Sequence, residues 1–269
     1  MVRTVLTARW LGLFVAALAL AAIMVFLGRW QLDRYELRSG VNDRIAAGES
    51  GEPVAVASIL PRPDGDAGTV GPRTPDDAAW RRVSVTGVYD SARELLVRNR
   101  TGEGQTGFEV VTPLVQADGT AVLIDRGWIP ANPKGPTVAP EVPAAPTGTV
   151  TVTGRVHPSE SGGTDTVTVD GKTQIRRIAT GPIARYLNQY AVYDAYLLAV
   201  DGTPGVTAVP VAVPTQNTWQ NAAYVVQWWL FAGLTLVGFV YLLRKEIKQP
   251  ASAKPGDRVD GSQEAAPVP

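Results

Sequence analysis

Two clusters of polar and aromatic side chains could bind a ligand, and both lie at the ends of long apolar runs. Arg29, Trp30 and Arg34 follow the first run, and Asn221 and Tyr224 lie at the start of the last one. A guanidinium group pairs with a carboxylate through two parallel hydrogen bonds, so the arginines could hold an anionic group. The sequence therefore predicts a candidate binding site at the polar ends of these two runs.

Residues suited to catalysis are sparse. The sequence contains no cysteine and a single histidine, His157, which precedes Pro158 and is predicted to lie on the surface in a loop. It shows no pairing of a nucleophile with a base, no cluster of metal ligands and no phosphate-binding loop. Asp125 and Glu109 are each interpreted as charged strand residues. We expect a protein that is not an enzyme and has no metal site.

The two apolar runs predict transmembrane helices. About 20 apolar residues, at roughly 1.5 Å per residue, cross a hydrocarbon core of about 30 Å. The runs at residues 10–28 and 221–243 are close to this length. The first run leads into bulky, charged residues and not into a small-residue cleavage site, so we expect a retained helix and not a signal peptide.

The distribution of basic residues predicts the orientation of these helices. Two arginines precede the first run, and three basic residues follow the second within five positions. Because basic residues concentrate on the cytoplasmic side, residues 1–9 and 244–269 are predicted to be cytoplasmic and residues 29–220 extracytoplasmic. The tail beyond residue 248 has little apolar content and is predicted to be disordered. Since no organelle import signal is evident, the expected location is a bacterial plasma membrane.

Arginines also follow the first run on the predicted outer side. The helix is predicted to continue beyond the membrane surface, and one of its faces contains residues that recur at helical spacing: Leu27, Trp30, Gln31, Arg34 and Arg38. Two interpretations remain open. The face could anchor the helix among lipid headgroups, or it could dock an anionic ligand or a partner helix.

The residues between the two runs predict a mainly β domain with about six to eight short strands, in a small antiparallel barrel or sandwich. The candidate strands are residues 82–89, 94–99, 108–115, 121–125, 149–156 and 192–200, with residues 206–213 as a further possibility. Asp118-Gly119 favours a tight hairpin turn. A short helix is predicted at residues 183–190, and loops are predicted over most of residues 48–79 and at 158–172.

Gly127 lies between two large residues, Arg126 and Trp128. A glycine in this setting is typical of a bulge or tight turn at the end of a strand. Trp128 is then expected to fill the core of the small barrel, and docking of a partner protein is the alternative interpretation of this segment.

The charge balance argues against a nucleic-acid partner, because the chain has 25 basic and 25 acidic residues. The absence of cysteine excludes disulfide bonds and thiolate metal sites.

An ordered set of motifs resembles the Surf1 (Shy1) family of cytochrome c oxidase assembly factors. The matching segments are Gly28-Arg29-Trp30-Gln31 with Arg34, Trp80–Val83 with Gly87–Tyr89, Val97–Arg100, Gly107–Leu114, Ile124–Pro130, and Tyr224 with Trp228-Trp229. The resemblance extends over residues 8–246 in the same order.

The resemblance implies a role in maturing a haem-copper terminal oxidase of the aa3 type. Family members are thought to hold haem a and to assist its insertion into the large oxidase subunit without catalysing a reaction. The implied partners are the lipid bilayer and the oxidase subunits, chiefly the large one. The alternative is a structural accessory subunit that stays bound to the oxidase or to a respiratory supercomplex and does not handle haem.

The resemblance also bears on the candidate binding site. The family's proposed haem ligand is a histidine at the position of Asn221, and an amide is a poor ligand for haem iron. Arg29 and Arg34 would suit haem propionates, and Trp30 and Tyr224 are possible haem-facing residues. Met24 offers a thioether, but a methionine in an apolar helix is typical of packing. The sequence therefore predicts possible transient binding of haem a, without an evident axial ligand.

Overall fold

The computed structural model describes residues 7–135, 137–163, 165–207, 209–211 and 215–248. The chain forms two compact units. One unit extends to Arg38 and resumes at Asn217, and the other comprises Ser39–Gln216. The predicted disordered tail lies outside the described residues, as does most of the predicted cytoplasmic N-terminus.

The described residues form three α-helices and ten strands. The helices are α1 (Ala8–Ser50), α2 (Thr180–Leu187) and α3 (Trp219–Lys248). The strands are β1 (Val54–Ala55), β2 (Val70–Arg73), β3 (Arg82–Tyr89), β4 (Leu95–Gly102), β5 (Gln105–Val115), β6 (Ala121–Pro130), β7 (Thr149–Pro158), β8 (Val167–Val169), β9 (Lys172–Ile175) and β10 (Val192–Ala199).

The first unit is an antiparallel pair formed by α3 and the first part of α1. The Trp10 and Phe239 rings meet edge to face, with 6.1 Å between their centroids. Further along α1, Gly28 lies against the Trp229 indole, where a Cβ atom on the glycine would collide with the ring. Glycine thus allows close approach of the two helices. Between these two contacts the residue number increases along α1 and decreases along α3, so the two helices are antiparallel.

Both long helices expose most of their apolar side chains. Phe26 is 71% exposed and Val226 is 67% exposed. Each helix is long and apolar enough to cross a membrane, and a lipid environment would cover this apolar surface. The predicted spans lie within α1 and α3. α1 continues to Ser50, so the loop predicted from Gly48 begins slightly later, at the end of this helix.

The second unit is built around a small β-barrel. Strands β3, β7, β10, β6 and β5 are paired in that order, and β5 pairs back with β3. This ring confirms the predicted mainly β fold. The barrel is mixed, because β10 runs parallel to β6 while the other neighbours in the ring are antiparallel. From β5 the sheet extends through β4 and β9 to β8.

The barrel interior is filled by alternate residues of the five ring strands. Each strand contributes at least one fully buried side chain, and examples are Val83, Leu114, Ile124, Val156 and Leu197. This pattern follows from the two-residue period of a strand, which sends successive side chains to opposite faces.

A second core covers the outer face of β6 and β10. Leu123 and Leu198 from these strands pack with Ile183 of α2, Val97 of β4 and Ile175 of β9. The short helix predicted at residues 183–190 is confirmed, although it starts and ends three residues earlier. Its place in the fold is thus to cover one face of the barrel.

Two local predictions were wrong. His157 lies in β7 and not in a loop, because pairing with β10 continues past the apolar alternation to Pro158, opposite Ala195. The segment predicted as a loop after Pro158 contains β8 and the start of β9, which pair with each other. In the described part of residues 206–213, Val209 makes an isolated bridge to Trp128.

Candidate functional site

Asn221 joins the two long helices. It is buried, its Oδ1 accepts a hydrogen bond from the Arg38 Nη1 at 2.9 Å, and its Nδ2 donates to Gln31 Oε1 at 2.8 Å. Arg38 also donates to the carbonyl oxygen of Asn217 at 3.3 Å. Both ends of the Asn221 amide are therefore engaged within the helix pair.

The other predicted site residues interact along α1 or are partly exposed. Arg29 forms an ion pair with Asp33 at 3.3 Å, one turn further on. The Arg34 guanidinium lies 5.0 Å from the centroid of the Trp30 ring. Tyr224 is 38% exposed. The partners of Asn221 are thus Gln31 and Arg38, which share the predicted helical face but were not among the predicted site residues.

These contacts do not fit a haem held through Asn221. An amide is a poor ligand for haem iron, and the Asn221 oxygen already accepts from Arg38. The thioether of Met24 accepts a hydrogen bond from Thr235 at 3.8 Å, so it serves packing between the helices. Asn221, Gln31 and Arg38 therefore form a polar clasp between the two helices.

We expect Asn221→Leu to destabilise the helix pair by about 1–2 kcal/mol, because Gln31 and Arg38 lose their buried partner. The measurement is the thermal unfolding midpoint of the full chain in detergent. Gln220→Leu is the matched control, because this neighbouring amide is exposed. Equal midpoints for the two variants would show that the clasp does not stabilise the helix pair.

A second polar cluster lies in the β unit, and no local pattern in the sequence indicated it. Arg100 contacts Glu109 through its Nε, at 2.9 Å from Oε2, and Glu160 through its Nη2, at 2.6 Å from Oε1. Glu160 also accepts a hydrogen bond from the Ile178 amide at 3.0 Å. The cluster borders a cavity of about 500 Å³.

Asp125 lies behind Glu109 and is fully buried. Its Oδ1 accepts from the Gly127 amide at 3.1 Å. Burial raises the pKa of Asp125 well above its ordinary value, and the nearby charge of Glu109 adds to this effect. Burial also raises the pKa of Glu109 to about 7, although Arg100 opposes the shift. Burial and the mutual repulsion of the two carboxyl groups therefore favour protonation of this pair.

Aromatic rings form the other wall of the cavity. His157 lies between Trp80 and Tyr196, with 5.0 Å and 4.7 Å between ring centroids. Burial lowers the pKa of His157, which favours the neutral imidazole. Trp80 and Asn99, which also line the cavity, have positive φ angles of 71° and 62°. Such strained backbone is tolerated where the surrounding structure fixes it.

The Arg126-Gly127-Trp128 segment forms the predicted bulge. Glu109 of β5 pairs with Trp128 of β6, and Val111 pairs with Asp125. The two pairs are two residues apart on β5 but three residues apart on β6, so β6 contains one extra residue. The extra residue reverses the alternation of side chains. Trp128 therefore lines the cavity and does not fill the barrel interior, contrary to the prediction.

We expect the β unit to lose stability as pH rises through neutrality. The Glu109 pKa is about 7 in the folded protein and about 4.5 in the unfolded chain, so the folded state binds more protons between these values. The stabilisation is complete below the unfolded pKa and is lost as pH passes the folded pKa. Free energies of unfolding for the unsubstituted protein and Glu109→Gln, compared from about pH 5 to 8, test this. Parallel pH profiles would contradict it.

Comparison with known proteins assigns the family. The SURF1 family model matches residues 18–233, which include the whole of the β unit and part of each long helix. An uncharacterized SURF1-like protein of Mycobacterium tuberculosis is 32% identical over 250 residues, which cover 92% of this chain and 88% of that protein. The cytochrome oxidase assembly protein SHY1 of Saccharomyces cerevisiae is 31% identical over 118 residues, or 41% of this chain and 26% of that protein. The chain is therefore a member of the SURF1 family.

Proposed function

We propose that this protein is an assembly factor for an aa3-type cytochrome c oxidase and that it assists maturation of the large haem-copper subunit at the stage of haem a insertion. The observation that carries the proposal is the family match, which extends from α1 through the β unit into α3. The yeast relative is named a cytochrome oxidase assembly protein, and this name supports oxidase assembly as the process.

The proposed role requires no reaction catalysed by the protein itself. Asn221 is engaged by Gln31 and Arg38, which supports a role that does not rely on an iron ligand at this position. Any contact with haem a would then be transient and would not depend on an axial bond from Asn221. Assistance would come from docking to the large subunit within the bilayer, for which the exposed apolar faces of α1 and α3 are suited.

The proposed location is the plasma membrane, with both termini in the cytoplasm and the β unit outside. The absence of cysteine allows a clean test, because any introduced thiol is unique. A membrane-impermeant maleimide added to intact cells should label Ser91→Cys, an exposed residue of the β unit, and should not label Ser252→Cys in the tail. The opposite labelling would reverse the orientation.

Deleting the gene tests the assembly role. We expect the haem a absorbance of isolated membranes and their cytochrome c oxidase activity to fall together, while b-type and c-type cytochromes remain. A plasmid copy of the gene should restore both signals. Unchanged haem a absorbance and oxidase activity in the deletion strain would overturn the proposal.

A second candidate is a structural accessory subunit of the oxidase or of a respiratory supercomplex. The engagement of Asn221 in a helix clasp favours it, since this residue serves packing. Purification in mild detergent separates the two candidates. Stoichiometric recovery with the mature oxidase supports the accessory subunit, whereas recovery only with an oxidase subunit that lacks haem a supports the assembly factor.

A further inference from the structure

The cavity of the β unit takes no part in the proposed function. Its volume of about 500 Å³ lies within the range of sites for small ligands, about 300–1,000 Å³. Side chains from β4, β5, β6, β7 and β10 line it, together with residues 209–211. Because most of these elements belong to the closed ring or pair with it, the walls are held by the barrel itself.

The charges at the cavity favour a cation. Glu109 and Glu160 both contact Arg100, so two carboxyl groups share a single guanidinium. When both carboxyl groups are ionised, the cluster has one negative charge in excess. An anionic ligand would face both carboxylates, whereas a positive group would balance the cluster.

The aromatic wall favours a cation with a planar or apolar body. Trp80, Trp128, His157 and Tyr196 line the same cavity as the two carboxyl groups. Ring faces attract positive charge when it lies within about 6 Å of the ring centre. Tryptophan and tyrosine rings also provide apolar contact for the uncharged part of a ligand.

We propose that this cavity binds an organic cation of the amidinium or guanidinium type, with Glu109 and Glu160 pairing with its charge and the aromatic wall covering its body. A small metabolite and an arginine side chain of a partner protein share this chemistry. The site does not depend on the oxidase assembly role, because all its described residues lie in the β unit.

Binding would be linked to protons. A cation beside Glu109 favours the ionised carboxylate, so binding lowers the pKa of about 7 and releases a proton. The affinity should therefore rise with pH between about 6 and 8. The titratable and charged groups that line the cavity with Glu109 or lie beside it are Arg100 of β4, Glu103 of the β4–β5 turn, Asp125 of β6, His157 of β7, Glu160 after β7, and Tyr196 of β10.

The test is titration calorimetry of the full chain in detergent. Benzamidine is the probe, and benzamide is its uncharged counterpart of nearly the same shape. We expect benzamidine to bind at least about tenfold more tightly than benzamide, and more tightly at pH 8 than at pH 6. Its binding heat at pH 7 should change with the ionisation enthalpy of the buffer in the sense of proton release. This last readout needs no variant and is therefore independent of folding.

Variants locate the site. Glu160→Gln keeps an oxygen acceptor for the Ile178 amide and should weaken benzamidine binding by about tenfold. Glu141→Gln makes the same substitution at an exposed residue elsewhere in the β unit, and it should leave the affinity for benzamidine unchanged. The proposal is overturned if benzamidine shows no saturable binding, if benzamide or benzoate binds as tightly, or if a folded Glu160→Gln variant retains full affinity.

Two further probes separate the possible sources of the cation. Agmatine is a free guanidinium compound, and N-acetyl-arginine amide carries the same group on a blocked peptide unit. Equal binding of both supports an arginine side chain of a partner protein. Binding of agmatine alone supports a small metabolite. Binding of neither guanidinium, when benzamidine also fails, overturns the site.

Discussion

Glu94→Leu is expected to destabilise the β unit by about 3–5 kcal/mol. Glu94 accepts from the Arg126 Nη1 at 2.7 Å, and both side chains are almost fully buried. Arginine remains charged in proteins, so the variant would leave an unpaired cation inside the barrel. The Arg126 contacts to the carbonyl oxygens of Gly205 and Pro143, each at 2.7 Å, cannot replace a carboxylate charge. The measurement is the free energy of unfolding of the full chain in detergent.

The control is an ion pair of the same type on the surface. Arg73 and Asp76 lie 3.3 Å apart, and their side chains are 85% and 93% exposed. Exposed pairs contribute little because water screens them. Asp76→Leu should therefore change stability far less than Glu94→Leu. Similar losses for the two variants would show that burial of the Glu94–Arg126 pair is not what makes it important.

Gly127→Ala should destabilise the β unit by about 3 kcal/mol or more. Gly127 has a φ angle of 124°, which side chains rarely adopt. A Cβ atom would also collide with the Thr207 hydroxyl and would come within 2.6 Å of the Val209 carbonyl oxygen. The same segment pairs through the Trp128 amide, which donates to Val209 at 2.7 Å. The variant would therefore strain the bulge and separate Thr207 and Val209 from β6.

Gly119→Ala separates the effect of the positive φ angle from the effect of the steric collision. Gly119 has a φ angle of 81°, and an added Cβ atom there would meet nothing within 4 Å. This variant tests the backbone conformation alone and should cost about 1–2 kcal/mol. If it costs as much as Gly127→Ala, the close approach of Thr207 and Val209 to Gly127 contributes nothing to the loss. Thermal unfolding midpoints of both variants in detergent provide the comparison.

The Ile124–Pro130 motif has identifiable structural roles. Arg126 neutralises Glu94 within the barrel, and Gly127 permits the bulge. Asp125 then interacts with Glu109 of the second polar cluster, and Trp128 lines the cavity. The motif therefore maintains the fold and also shapes the cavity wall.

Local patterns in the sequence determined the main elements. The apolar runs predicted both long helices, and two-residue alternation predicted the limits of β3. The Asp118-Gly119 turn and the bulge at Gly127 followed from residue type, since glycine is favoured where φ is positive. A small barrel or sandwich was predicted because short amphipathic strands bury their apolar faces best against one another.

The tertiary structure alone decided which of these elements are neighbours. Arg100 and Glu109 belong to consecutive strands, but Glu160 and Tyr196 lie far from them in the chain. The four residues meet because β10 lies between β6 and β7 while β4 lies beside β5. Alternation shows which side chains share a face, but it does not show which strands pair. Likewise, Asn221 forms hydrogen bonds with Gln31 and Arg38 only when α1 and α3 pack together. The sequence thus predicted a membrane-held protein with a mainly β domain, and strand order created the cavity of that domain.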